Sequence, residues 1–375
     1  MNGLYRSGLR KLEEAMTFDP ETLARENIRR LKSYSSARDE FSGTAEVFLD
    51  ANENAFGSPI KQQINRYPDP LQTVLKEKIA ESKGVNPSQI FLGNGSDEAI
   101  DLLFRIFCEP GRDACIICPP TYGMYKVAAD INNIEAREIL LTVDFQLDVL
   151  RIQEQVRQST KLIFICSPNN PTGNAMGRDD ILEIANIFGG IVVVDEAYIH
   201  FSSERSLIDE IENHPNLIVL QTFSKAWGLA GARVGIAFAN EKIIKLFNRT
   251  KPPYNLSSLA QEAAIAAMDN EDQINEWVRQ IVEQRTILSV SLKALNFVEK
   301  VYRSEANFVL VKLADAAVAY RFLIDEKIVV RDRSNIILCE GCLRITVGTP
   351  DENARLLDTL RKFEKTNKVA VVKGI

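Results

Sequence analysis

From about Gln89 to Asn240, short apolar runs of strand length alternate with stretches whose apolar residues recur every three or four positions. Gln89 to Leu92, Ala114 to Cys118, Lys161 to Cys166 and Ile191 to Val194 read as strands, each leaving through a polar or glycine-rich turn. Strands interleaved with helices are the pattern of a mostly parallel sheet covered on both faces. Upstream, Asp19 to Lys32 reads as an amphipathic helix capped by Asp19 with Pro20 in its first turn. Leu71, Val74, Leu75 and Ile79 then recur at helical spacing until Gly84. Downstream, helical patterns dominate from Glu241 to Leu295, including a long one through Ile274, Trp277, Val278, Ile281, Val282 and Arg285. Strand-like Asn307 to Lys312, a helix through Tyr320 to Asp325, and strands at Ile328 to Val330 and Leu343 to Val347 complete the chain. The predicted class is α/β, a large domain with a mostly parallel sheet flanked by helices plus a smaller α+β domain. The expected divisions are 1–45 for an N-terminal extension and arm, 46–297 for the large domain and 298–375 for the small one.

Length agrees with that division, since 375 residues exceed what one small core organises. Charge narrows the partners. With 45 basic and 51 acidic residues and no long basic run, neither nucleic acid nor an anionic membrane surface is expected, and a small-molecule ligand fits better. Leu162 to Cys166 and Ile191 to Val194 are far too short to span a bilayer. The first residues carry Arg6, Arg10 and Lys11 without an apolar signal core, and Glu13 and Glu14 argue against a transit peptide. A cytoplasmic location is therefore expected, with Met1 to Ala15 a loosely attached extension. Two cysteine pairs, Cys115/Cys118 and Cys339/Cys342, have metal-like spacing. In a strand, positions three apart point to opposite faces, so the first pair does not converge on one ion. Buried free thiols are expected and no metal site. His200 and His214 are expected to be satisfied or solvent-facing.

One stretch carries a different signal. Gln221 to Asn240, QTFSKAWGLAGARVGIAFAN, places Lys225 after Ser224, glycines at Gly228, Gly231 and Gly235, and Arg233. A lysine amine condenses with an aldehyde only when deprotonated, which desolvation or a neighbouring cation such as Arg233 favours. Thr222, Ser224 and Arg233 together suit a phosphate. Gly93-Asn94-Gly95-Ser96-Asp97-Glu98 leads from a strand into a helix, where free N–H groups and the helix dipole favour an anion. Ile191 to Val194 runs into Asp195, placing a carboxylate at the C-terminal end of a parallel strand. Arg344 lies between apolar residues, and a buried guanidinium needs an anion.

Taken in order, these segments resemble the fold-type I pyridoxal-phosphate aminotransferases, and among them the histidinol-phosphate aminotransferase family. The likeness runs from Phe18 to about Lys365, and departs where Trp227 and Ile236 stand in place of the frequent phenylalanine and tyrosine. It implies pyridoxal 5'-phosphate as cofactor, bound by Lys225, which also acts as base, with the phosphate held by Gly95, Ser96, Asp97, Thr222, Ser224 and Arg233. Tyr122 is implied to stack on the ring, Asn170 of Ser167-Pro168-Asn169-Asn170-Pro171-Thr172-Gly173 and Tyr198 to bond its phenolic oxygen, and Asp195 to keep its nitrogen protonated. Tyr67 is implied to reach the phosphate of a partner subunit, hence a homodimer. Tyr34 in the arm, Asn170, Arg331 and Arg344 are implied to meet the substrate. Tyr125 is expected to be structural. The implied reaction is transamination between L-histidinol phosphate and 2-oxoglutarate, giving imidazole-acetol phosphate and L-glutamate. An aromatic aminotransferase, an amino-acid phosphate decarboxylase, or a catalytically silent ligand-binding module are the alternatives.

Overall fold

The computed structural model describes residues 18–34 and 46–373, with side chains through 366. The expected extension, Met1 to Ala15, and the arm residues Ser35 to Arg38 lie outside the described residues.

The apolar runs of the first half form one seven-stranded sheet. Its strands are β1 (Ile90–Asn94), β2 (Ala114–Ile117), β3 (Glu135–Glu138), β4 (Thr160–Cys166), β5 (Ile191–Asp195), β6 (Leu217–Thr222) and β7 (Val234–Ala239), in the order β1-β7-β6-β5-β4-β2-β3. β7 alone runs antiparallel to its neighbours, β6 and β1. Alternation along each strand splits the core in two. Ile163, Ile165, Val192 and Val194 face one layer, built with the helices Thr73–Lys83, Arg178–Ile187 and Ser258–Met268. Leu162, Phe164, Ile191 and Val193 face the other, against the helices Ser96–Phe107, Met124–Ile131 and Glu241–Thr250. Strands buried on both faces lose the polar alternation of a half-exposed sheet, which is why they read as continuous apolar runs. Cys115 and Cys118 fall in opposite layers.

A second, antiparallel sheet of order β10-β11-β9-β8 uses β8 (Val298–Val301), β9 (Phe308–Leu313), β10 (Arg331–Asp332) and β11 (Cys342–Thr346). Its core joins Val309, Val311, Leu343 and Ile345 to Leu323, Leu360 and Phe363, and also to Leu288 and Leu292 from the last turns of the 23-residue helix Glu271–Lys293. Thus one long helix packs on both sheets' cores, since its Ile274 belongs to the large sheet's core.

Two local expectations are corrected and one strand is added. The helix expected over Asp19 to Lys32 is two short turns, Pro20–Leu23 and Glu26–Arg29. Between them the Arg25 N–H leaves the helical ladder to donate to Ile106 O at 2.9 Å, and its guanidinium meets Glu109, so packing on the neighbouring helix overrides local propensity. The strand expected at Ile328 to Val330 forms instead at Arg331–Asp332. β3, with the sequence EARE, was not foreseen because an exposed edge strand shows no apolar run.

Candidate active site

The C-terminal ends of the parallel strands open on one side of the sheet, and the loops leaving them line a cavity of about 560 Å³ whose far wall comes from β10, β11 and the turn after β10 in the second sheet. β1 ends in Gly95, β2 in the loop carrying Tyr122, β4 in the loop carrying Asn170, β5 in Asp195, and β6 in the turn carrying Ser224 and Lys225. Gly95, Ser96, Asp97, Tyr122, Asn170, Asp195, Tyr198, Thr222, Ser224, Lys225, Arg233, Arg331 and Arg344 all line this one space. Tyr34 and Tyr67 do not: Tyr34 is 75% exposed, and Tyr67, 52% exposed, stacks on Tyr254 with ring centres 4.3 Å apart.

At one end the helix Ser96–Phe107 begins at Gly95, with the unbonded N–H groups of its first turn facing the cavity beside Arg233. The approach is close. A Cβ on Gly235 would lie 2.1 Å from both Gly95 C and Ser96 N, so only glycine lets β7 run past this turn. Arg233 holds a left-handed backbone, φ 57°, that an arginine adopts only at a cost. Its Nη2 donates to Asp97 Oδ2 at 3.5 Å, while Asp97 Oδ1 accepts from the Tyr122 hydroxyl at 3.1 Å. The Thr222 hydroxyl donates to Val234 O and accepts from Ser224 N–H, so it shapes the turn that presents Ser224 and Lys225.

In the middle of the cavity Asp195 is 3% exposed. Burial pushes its carboxyl up from 3.8 to about 6, against the pull of two donors, Tyr125 Oη on Oδ2 at 2.8 Å and Ala197 N–H on Oδ1 at 3.1 Å. Lys225 is reachable from solvent, yet crowding lowers its ammonium below the usual range, helped next by Arg344 and then by Arg233, while Asp195 opposes them. The strongest cationic influence on the lysine is therefore Arg344, a residue of the second sheet, and not Arg233 as its place in the sequence suggests.

The far end is cationic as well. Arg344 on β11 sits opposite Arg331 on β10, and Arg333 lines the same wall. Arg344 Nη1 donates to Asn170 Oδ1 at 2.5 Å, and Asn170 Nδ2 reaches the Tyr198 hydroxyl at 3.5 Å. The Nε atoms of Arg333 and Arg344 are buried with no acceptor. Five cations against two carboxylates in one cleft call for a ligand with more than one anionic group.

Sequence reasoning missed one member of the lining and one support behind it. Tyr125, expected to be structural, is a fully buried core residue outside the cavity lining, and its phenol donates to Asp195. Arg333 escaped notice because nothing in Arg331-Asp332-Arg333 marks that both arginines reach the cavity. The histidine expectation is corrected too: both ring nitrogens of His200 are buried without a partner, and burial lowers its basicity to about 3. All six cysteines are free and buried, and among the described residues no group of three potential metal ligands occurs.

Residues 35–360 match the family "Aminotransferase class I and II". A curated histidinol-phosphate aminotransferase from Cytophaga hutchinsonii is 51% identical over 93% of this chain and 100% of its own. Among solved structures, a histidinol-phosphate aminotransferase from Sinorhizobium meliloti in complex with pyridoxal-5'-phosphate superposes with a TM-score of 0.74 at 24% identity, over 84% of this chain and 90% of that one. An L-threonine-O-3-phosphate decarboxylase from Porphyromonas gingivalis superposes with a TM-score of 0.70 at 26% identity, over 80% and 91%.

Proposed function

The chain belongs to the class I and II aminotransferases, and on that premise we propose that it carries out transamination between L-histidinol phosphate and 2-oxoglutarate, giving imidazole-acetol phosphate and L-glutamate, with pyridoxal 5'-phosphate as its cofactor. The observation that carries the reading is the two-ended cavity: an anion cradle at Gly95, Ser96 and Arg233, a buried acid and a crowded amine at its centre, and unsatisfied guanidinium donors beyond them. A phosphorylated aromatic aldehyde fits the near end. A phosphate on the substrate fits the far end, and so does the distal carboxylate of glutamate. Identity of 51% over the full length of a curated histidinol-phosphate aminotransferase favours transamination.

The roles follow from chemistry. Ser96, Ser224 and Arg233, with the N–H groups of Ser96 and Asp97, would hold the cofactor phosphate, and Tyr122 would cover the ring; the Gly95 N–H is already donated to Arg233 O at 2.8 Å. When bound, the cofactor supplies a carbonyl carbon that captures amines and a ring that withdraws electrons. Asp195, dry and oriented by Tyr125 and Ala197, would keep a proton on the ring nitrogen. Tyr198 and Asn170 would bond the ring oxygen. Lys225 Nζ, made easier to deprotonate by crowding and by Arg344, would take the proton from the substrate carbon that bears the amine. Arg344, Arg333 and Arg331 would bind the distal anion and exclude donors that lack one.

The reading takes 46–297 as the cofactor-binding domain and 298–375 as the small domain that brings the arginines over it. It also takes the protein to be a cytoplasmic homodimer. Support for the dimer comes from the exposed apolar side chains Val47, Leu49, Phe56, Ile60, Tyr67 and Leu71, all drawn from the one segment 47–71. Among the described residues no helix is long and apolar enough to cross a membrane. The test is amino-group transfer to 2-oxoglutarate from L-histidinol phosphate, L-phenylalanine and L-threonine phosphate in parallel. Glutamate should form from the first at least roughly tenfold faster than from the others. Carbon dioxide release from threonine phosphate as the main reaction would overturn it.

A further inference from the structure

Lys251 caps the helix Glu241–Thr250 and is 7% exposed. Its ammonium donates to four oxygens among the described residues: Pro70 O at 2.8 Å, Pro253 O at 2.9 Å, Asn255 Oδ1 at 3.2 Å and Pro252 O at 3.3 Å. Burying an ammonium is unfavourable unless oxygens replace its water, and these do. Gln72 closes the nest. It is fully buried with a left-handed backbone, φ 53°, and its amide donates to the same two acceptors, Pro70 O at 2.7 Å and Asn255 Oδ1 at 3.3 Å. A non-glycine residue persists in that conformation only where its surroundings hold it.

The nest ties together segments that would otherwise be independent loops. Pro70 follows Tyr67, Pro253 precedes Tyr254, and those two rings stack within 14° of parallel. Asn255 carries the connection onward: its Nδ2 donates to Leu92 O at 2.9 Å and to Glu98 Oε2 at 3.2 Å, and its carbonyl accepts from the Asn94 side chain. The Asn94 N–H is in turn held by Glu98 Oε2. Asn94 immediately precedes the Gly95-Ser96-Asp97 turn.

We propose that Lys251 is a positioning residue, a tethered monovalent cation whose oxygen nest fixes the Pro70–Gln72 and Pro252–Asn255 loops and, through Asn255 and Asn94, sets the anion-binding turn at Gly95. The proposal rests on the reading that this turn holds the cofactor phosphate. Carbonyl oxygens spaced for an ammonium also replace the hydration shell of potassium, an ion of similar size. Removing the side chain therefore creates a potassium site.

The test compares wild type, Lys251→Ala and Lys251→Met in chloride salts of potassium or tetramethylammonium at equal ionic strength. Pyridoxal phosphate is titrated by its visible absorbance, and amide hydrogen exchange is followed on the cofactor-free proteins. In tetramethylammonium, Lys251→Ala should bind the cofactor about tenfold or more weakly, as when an outer partner of a bound ion is lost. Potassium should restore most of that affinity. Lys251→Met, whose side chain fills the space without charge, should be weakened and indifferent to potassium, and the absorption maximum of every loaded protein should match wild type. Exchange should quicken over residues 69–73 and 252–257 of Lys251→Ala and slow again with potassium. Unchanged affinity of Lys251→Ala, or a loss untouched by potassium with faster exchange across the whole sheet, overturns the proposal. Failure of wild type to bind pyridoxal phosphate would instead remove the cofactor reading, and the exchange data would still decide whether the nest accepts potassium.

Discussion

Tyr125 donates its phenolic hydrogen to Asp195 Oδ2 at 2.8 Å, and both side chains are buried. The bond favours the ionised carboxylate, while burial favours the protonated acid, and burial is the larger effect. Tyr125 also lies flat on Phe164 with ring centres 5.0 Å apart, so the donor is held rigidly.

Replacing Tyr125 with phenylalanine keeps that packing and removes the donor. Asp195, already raised by burial to about 6, should then ionise only at higher pH, moving the acid side of the cofactor-affinity profile upward. Loss of a hydrogen bond to a charged group corresponds to roughly 1–3 kcal/mol, hence about tenfold in affinity on that acid side. Titration of the visible band from pH 5 to pH 8 checks it; a profile superimposable on wild type would deny Tyr125 this role.

Asp195→Asn should separate stability from function. A carboxyl raised from 3.8 to about 6 binds its proton more readily in the folded chain, so ionising it destabilises the fold. That penalty is absent below the lower value, grows between the two, and is complete above the upper one. In urea unfolding of the cofactor-free protein, Asp195→Asn should gain on the order of 1–3 kcal/mol over wild type at pH 7, shrinking toward zero near pH 4. Transamination should be nearly abolished.

Gly235→Ala tests the closeness of the anion cradle. The added methyl would meet Gly95 C and Ser96 N at 2.1 Å, main-chain atoms that no side-chain rotation can clear. Forcing the helix start outward should cost roughly 1–3 kcal/mol of stability. The visible-band titration should show pyridoxal phosphate affinity falling more than about tenfold, because the displaced N–H groups are the proposed phosphate donors.

Arg233→Gly should behave in the opposite way toward stability. Glycine accepts φ 57° without strain, and the ion pair lost, Arg233 with Asp97 at 3.5 Å, is half-exposed and contributes little. Thermal melting of the cofactor-free protein should be unchanged or improved by up to about 1 kcal/mol, while cofactor affinity drops. A stability loss comparable to that of Gly235→Ala would contradict this account of the backbone.

Much of the large sheet was legible because its strands are buried on both faces, and runs such as Ile191 to Val194 have no other use in a chain this polar. Asp195 was legible for the same reason: a carboxylate ending such a strand stands where ligands bind. What escaped depends on relations between distant segments. Nothing near Tyr125 in sequence says that its hydroxyl lies on a residue 70 positions away, and nothing local marks that Arg331 and Arg333 both reach the cavity. The broken helix at Arg25 and the displaced strand at Arg331 are likewise decided by neighbours in space. The influence of Arg344 on Lys225 links two sheets and has no local signature at all.

In the proposed reaction Lys225 and Asp195 grip one cofactor from opposite ends, and borohydride reduction of the protein loaded with pyridoxal phosphate, followed by peptide mass mapping, reads that grip. One label per chain is expected, on the peptide containing Lys225, absent from Lys225→Ala, and formed with much weaker affinity in Asp195→Asn. A label on another lysine, or one that survives Lys225→Ala, would contradict it.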